Sequence, residues 1–312
     1  MTQKSLAGLS LRDLEYVEAV AELSHFGRAA ERCGVSQPAL SEQIRKLEEH
    51  LGVPFFERTR RRVAITPQGA LLLVQVERVL TEARHFLAMS GQGQPGLAGP
   101  LQLGAIETIG PYYLPFLLRL IRDELPEVAL RLTESRTAIL IERLRHGMLD
   151  IVLMVPTPDM PGLSASPLFF EPFLLATPKD HPLAALPLIK LDALPIEDLL
   201  LLEEGHCLRD QALSLCAEAP SATRHATSLE TLWHMIGAGE GYSLLPALAI
   251  AARPEISSLV QCRRMLEPQS GREIALVWRT SDPRETQFRQ LADLLRQHAP
   301  ASVIKREAKR IS

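Results

Sequence analysis

A chain of 312 residues, 46% hydrophobic and 23% charged with 18 Gly and 23 Pro, is long enough for about two domains and is neither fibrous nor low-complexity. Its 34 Lys+Arg against 37 Asp+Glu leave a formal charge of −3, so nucleic-acid binding must rest on a local basic patch. Four cysteines are too few for a secreted disulfide scaffold, and the N-terminus lacks the apolar stretch of a signal peptide. No apolar run approaches the roughly 20 residues of a membrane helix. The chain is expected to be cytoplasmic, away from membranes, with its cysteines as thiols.

Ser10, with Asp13 three residues on, reads as a capping box opening a first helix that aligns Leu11, Leu14, Val17 and Val20. Ser24 is expected to cap a short second helix running through Phe26, Ala29 and Ala30 to Cys33. Gly34-Val35-Ser36 forms a tight turn, and Ser36 caps a third helix from Gln37 to His50 with Leu40, Ile44, Leu47 and Leu51 turned inward. Helix, three-residue turn, helix is the helix-turn-helix pattern. Gln37, Pro38, Ser41 and Gln43 suit base edges in a major groove, and Arg45 suits phosphate. A plain three-helix bundle with a solvated polar face would show the same pattern.

Residues Val53–Arg58 and Val63–Ile65 read as two short strands joined through Thr59-Arg60-Arg61-Arg62. Arg58, Arg60, Arg61 and Arg62 then lie on a wing, where phosphate or minor-groove contact is made. Thr66-Pro67 opens another helix, with Thr as cap and Pro in first position. Along it Leu73, Val76, Leu80, Ala83 and Leu87 recur at spacings of three and four, either a seam for a second copy or a face packed on the chain's own body. The breaker run Gly91-Gln92-Gly93-Gln94-Pro95-Gly96 marks the domain boundary.

Residues 11–69, above all SHFGRAAERCGVSQPALSEQIRKLEEHLGVPFFERTRRRVAITPQG, resemble the N-terminal domain of LysR-type transcriptional regulators. The resemblance implies that Ser36–Arg45 enters the major groove and that the helix from Pro67 dimerises. It also implies promoter DNA with two-fold sites, a homodimer or homotetramer, and RNA polymerase as partners.

Beyond the breaker, strands and helices alternate: Leu101–Ile106, Pro111–Leu125, Val128–Thr133, Thr137–His146 and Leu149–Val155. A second such unit starts near Leu168–Thr177, and Ile274–Trp278 with Arg284–His298 are expected to return to the first. This predicts an α/β fold: an all-α winged helix-turn-helix (1–66), a linker helix and hinge (67–96), and an effector part (97–312) of two doubly wound lobes. Lobe I spans about 97–167 and 274–300, lobe II about 168–273, with a ligand cleft between them.

A strand at Leu199–Leu202 leads through Gly205-His206 into a helix starting near Cys207. Backbone N–H groups at a helix start favour a thiolate, and His206 and Arg209 add donors or charge. A thiolate attacks peroxide to give a sulfenic acid, for which Cys216 is the nearby thiol. Nine helical residues put the two Cα atoms roughly 13–14 Å apart, whereas a disulfide needs about 4.4–6.8 Å. Bond formation would therefore unwind the helix, which is what a switch requires. On residues alone, Cys216 reads more readily as a core thiol on the apolar face of Ala212 and Leu215 than as a redox partner.

GHCLRDQALSLC followed by ATSLETLWHMIGAGEGYSLLPALA is similar to the peroxide-sensing OxyR group of the LysR family. The resemblance implies that Cys207 reacts with hydrogen peroxide and Cys216 resolves it, with Thr108, Thr137, His206 and Arg272 forming the peroxide pocket. Glu107 stands where the resemblance leads one to expect proline. The competing readings are a LysR-type regulator with a small metabolite in the cleft and a thiol peroxidase; the helix-turn-helix argues against an enzyme. No cofactor or metal site is expected. Cys33 reads as a packed thiol, and Cys262, beside Arg263 and Arg264, as an exposed and acidic one without a partner.

Overall fold

In the computed structural model, which describes residues 6–58, 63–90, 96–182, 196–215, 224–265 and 270–305, helix α1 (Leu11–Leu23) begins at a complete capping box. The Ser10 hydroxyl accepts from the Asp13 N–H at 3.2 Å, and the Asp13 carboxylate accepts from the Ser10 N–H at 3.0 Å. Ser24 does not cap α2 (Phe26–Cys33). It closes α1 at φ 49°, while His25 caps α2, its Nδ1 accepting from the Arg28 N–H at 3.2 Å. One residue cannot end a helix in the left-handed region and open the next from the extended region, so the cap moves one place on.

Helix α3 (Gln37–Leu51) starts at Ser36 after Gly34 at φ 67°, and Leu40 and Ile44 are fully buried with Val17, Val20 and Ala29. The hairpin of β1 (Phe56–Arg58) and β2 (Val63–Ile65) is antiparallel. It is tied to α3 by Glu48, whose Oε1 accepts from the N–H groups of Phe55 and Phe56 at 2.8 and 3.2 Å. Thr66 opens α4 (Pro67–Ser90), its hydroxyl accepting from Gly69 N–H at 2.8 Å and donating to the Pro54 carbonyl at 2.6 Å. The expected seam divides: Val76 and Leu80 are buried in the core that α1, α2 and α3 supply, whereas Leu87 is 66% exposed. Among the described residues, Leu71, Val74, Val79 and Phe86 are the other exposed large apolar side chains of α4.

The chain divides into two compact units, Met1–Gly93 and Gln94–Ser312. In the second, β3 (Gly99–Ile106), α5 (Gly110–Glu124), β4 (Val128–Ser135), α6 (Thr137–Arg145) and β5 (Ile151–Met154) alternate, with β3 parallel to both β4 and β5. The 16-residue β6 (Leu163–Pro178) comes next, then β7 (Leu201–Leu202), α7 (Cys207–Leu215), β8 (His225–Ala226), α8 (Leu229–Gly237) and β9 (Ser243–Pro246). The chain continues as α9 (Ala247–Ala251), β10 (Val260–Arg264), β11 (Gly271–Arg279), α10 (Glu285–Gln297) and β12 (Ile304–Lys305).

Among the described residues eight of the strands form a mixed sheet, ordered β10-β6-β11-β5-β3-β4, with β9 and β12 also on β6, while β7 and β8 pair parallel apart from it. Strand β11 returns antiparallel to both β5 and β6. Its pairing covers β6 from Leu163 to Pro172, and β9 and β10 take β6 from Phe173 to Pro178. One strand thus serves two sets of neighbours. It starts five residues before the sequence suggested, at Leu163 rather than Leu168, because Ser164 and Ser166 break the apolar run while still alternating in the strand. Trp278, Tyr113, Tyr242, Phe169 and Phe288 are the largest fully buried side chains of this core.

Candidate functional site

Parallel strands β3 and β4 end side by side, Ile106 in register with Ser135, and the chain leaves each at the same carboxyl edge. The carboxyl ends of parallel strands are where α/β sheets bind ligands. Here the segments Ile106–Thr108, Ser135–Thr137 and Gly205–Cys207 enclose a cavity of about 10 Å³, the scale of one water-sized molecule. Gly205 sits at φ +94°, and a Cβ there would meet the Arg136 side chain at 3.1 Å. That turn is what delivers His206 inward, 5% exposed, and starts α7 at the half-buried Cys207. Thr137 is the first residue of α6, so two helix N-termini open onto the cavity and favour negative charge developing there.

Arg272 stands behind the cavity wall rather than in it. Its wholly buried guanidinium donates from Nη1 to Thr108 Oγ1 at 2.7 Å and from Nη2 to the Thr108 carbonyl at 2.9 Å. Its Nε donates to Glu171 at 2.8 Å, and the other Glu171 oxygen accepts from the Leu248 N–H at 3.0 Å, at the start of α9. Glu171 was not anticipated, although a carboxylate inside the run Phe169-Phe170-Glu171-Pro172-Phe173 was a signal: a charge in a buried strand needs a partner. On the other side Glu107 Oε2 lies 3.4 Å from His206 Nδ1, and Arg136 pairs with Glu203 at 3.6 Å. Burial, then the charge of Glu107, pushes the Glu134 carboxyl above its ordinary value.

Cys207, His206, Thr108 and Thr137 therefore come together, with Arg272 acting through Thr108. Cys216 lies outside the described residues, as do Arg60, Arg61 and Arg62; Arg58 ends β1. On the first unit, Ser36, Gln37 and Pro38 are exposed at the start of α3 and Arg45 about two turns further on, and Ser41 is partly exposed. Arg45 is held by Glu42 at 2.7 Å and by Glu49, so a phosphate must compete for it. Gln43 faces elsewhere, lining a groove with Gly8, Ser10, Lys46 and His50. Cys262 departs from the exposed, acidic thiol read from its arginine neighbours: burial pushes it up to about 11. Among the described residues no group of three or more His, Cys, Asp or Glu is arranged to hold a metal ion.

Residues 11–70 match the bacterial regulatory helix-turn-helix protein model of the lysR family, and residues 94–300 match the LysR substrate binding domain. The chain belongs to the LysR family. Within it this LysR-family chain is 42% identical over 291 residues to the DNA-binding transcriptional dual regulator OxyR of Escherichia coli (strain K12), covering 92% of this chain and 95% of that protein. It is 41% identical over 292 residues to a probable hydrogen peroxide-inducible genes activator of Streptomyces viridosporus, covering 92% and 94%. Among solved structures, a full-length OxyR from Pseudomonas aeruginosa matches with TM-score 0.70 at 39% identity, over 92% of this chain and 97% of that one. A hydrogen-peroxide-bound OxyR mutant of Corynebacterium glutamicum matches with TM-score 0.63 at 35% identity, over 95% and 94%. These likenesses put the chain in the OxyR group of the family.

Proposed function

We propose that this chain is a hydrogen-peroxide-sensing, redox-switched transcriptional regulator that binds two-fold promoter sites as a homodimer or homotetramer, in the cytoplasm and in contact with RNA polymerase. The observation that carries the reading is the cavity of about 10 Å³ walled by Cys207, His206 and Thr108. A space that small argues for a reactant near the size of water, since metabolite sites run to several hundred Å³.

Cys207 sulfur attacks one peroxide oxygen, the O–O bond breaks, and a sulfenic acid and water result. The hydroxyl of Thr108, held by Arg272, donates to the oxygen that gathers negative charge. Attack by the Cys216 thiol on the sulfenic sulfur then expels a second water and forms the disulfide. Since α7 runs from Cys207 to Leu215, a bond from its first residue to the one after its last requires that helix to unwind. Oxidation is here a signal and not turnover.

On the DNA side, Ser36, Gln37, Pro38 and Ser41 read bases, while Arg45, Arg58, Arg60, Arg61 and Arg62 hold phosphates. The second copy docks on the exposed apolar face of α4 at Leu71, Val79 and Phe86. The test is peptide mapping, without reductant, of the reduced full chain after stoichiometric peroxide. A Cys207–Cys216 crosslink with a changed promoter footprint is expected. Cys207→Ser should abolish both, and Cys216→Ser should trap Cys207 as sulfenic acid or a mixed disulfide. Free thiols at both positions with an unaltered footprint would overturn the reading.

A further inference from the structure

His206 meets a carboxylate that the reaction above leaves unused. Glu107 directly follows β3, 42% exposed, and its Oε2 lies 3.4 Å from Nδ1 of His206, whose side chain is 4% exposed. The other ring nitrogen, Nε2, is buried and has no hydrogen-bond partner among the described residues. A neutral imidazole carries one proton between two nitrogens, and the bond made at one decides what the other can do. An ionised carboxylate only accepts. A carboxylate facing Nδ1 at that distance favours the tautomer protonated at Nδ1, in which Nε2 is a bare lone pair.

Thr108 has the complementary polarity. Arg272 donates to its Oγ1 at 2.7 Å, which leaves the threonine's own hydroxyl proton to donate. Between them these two residues thus offer the cavity an acceptor at His206 and a donor at Thr108. Hydrogen peroxide, with a donor and an acceptor at each oxygen, is held in one orientation by such a pair. Of the surrounding charges, Arg136 pairs with Glu203 and Arg272 with Glu171, while burial and then Glu107 raise the Glu134 carboxyl on β4 above its ordinary value. Among the described residues, Glu107 is the carboxylate within ion-pairing distance of His206.

We propose that Glu107 is a positioning residue for the peroxide reaction: it holds His206 in the Nδ1–H form and so makes Nε2 the proton acceptor of the cavity. This rests on the reading of Cys207 as the peroxide-reactive thiol. In the step it supports, the S–O bond forms as the O–O bond breaks. Nε2 takes the thiol proton and passes it to the departing oxygen, so that Cys–SH and hydrogen peroxide become Cys–SOH and water.

The reduced full chain with isotope-labelled histidine separates the two tautomers by long-range proton–nitrogen correlation, His206→Gln assigning the signal. Wild type, Glu107→Gln and Glu107→Ala are compared, together with the rate constant and pH profile of Cys207 oxidation by hydrogen peroxide. The Nδ1–H form is expected in wild type and in Glu107→Gln, whose amide oxygen still accepts. Glu107→Ala is expected to populate the Nε2–H form and to slow oxidation by about tenfold, with an altered pH profile. An Ala variant with the wild-type tautomer, or with the wild-type rate constant, overturns the role of Glu107 alone. A wild-type Cys207 that peroxide leaves untouched overturns both this and the function on which it rests.

Discussion

Arg272 illustrates how a buried charge becomes part of a reactive site. Its guanidinium is out of water and bonds to Glu171 and to both oxygens of Thr108. Desolvating two such ions costs several kcal/mol each, and their attraction offsets this only while both are present. Glu171→Ala is therefore expected to destabilise the chain by about 3–5 kcal/mol, read from urea unfolding. Replacing both with methionine should recover most of that stability yet leave Cys207 oxidation slow, because Thr108 has lost its donor. Recovery of rate as well would reduce the arginine to a space-filler. Glu134 carries a second residue-scale prediction. A carboxyl raised above its unfolded value favours folding below the unfolded value and loses that advantage as pH rises through the folded one. At neutral pH the ionised Glu134 is thus a penalty. Glu134→Gln should raise the urea midpoint near pH 7 and converge on wild type below about pH 4; a gain unchanged by pH would point to packing.

At the scale of elements, α4 separates two meanings of an apolar repeat. Spacings of three and four identified the helix, but a 24-residue helix has more than one apolar face. Val76 and Leu80 turn to the core of their own unit, and Leu71, Val74, Val79 and Phe86 are left in water. Phe86→Asp with Val79→Asp should therefore lower the sedimentation-derived mass toward that of one chain and weaken promoter binding, with little change in helix content. An unchanged assembly would remove this face as the docking surface. The same contrast explains what was legible in the sequence. The Ser10 box, the Ser36 cap and the Thr66-Pro67 start are each set by three or four adjacent residues, and they fold as their chemistry demands. Ser24 was misread because its conformation is decided by how α1 ends. The start of β6 and the strand β10 were missed because a strand's extent depends on its neighbours, and those neighbours are distant in sequence.

For the molecule as a whole, the same distance governs the site. Gly205, His206 and Cys207 are contiguous and could be read together, whereas Arg272 reaches its bonds to Glu171 and Thr108 across 101 and 164 residues. Resemblance supplied Thr108 and Arg272; the apolar run around Glu171 marked a buried carboxylate but not that its partner is Arg272. The proposed switch also spans the chain's two units, with DNA read in one and peroxide in the other. Two sites coupled through one equilibrium must act on each other equally. If the disulfide changes promoter affinity by some factor, promoter DNA must change the thiol–disulfide equilibrium by that same factor. For a two-electron couple each tenfold difference corresponds to about 30 mV. Saturating promoter DNA is therefore expected to shift the midpoint of the Cys207–Cys216 couple by about 30 mV per tenfold difference in affinity, to more negative potential where the oxidised form binds tighter. Glutathione-buffered titration with thiol alkylation, run with and without the DNA, reads this directly. Affinities that differ between the two forms alongside an unmoved midpoint would mean that the disulfide is not the species DNA recognises, and would shift the signal to the sulfenic acid at Cys207.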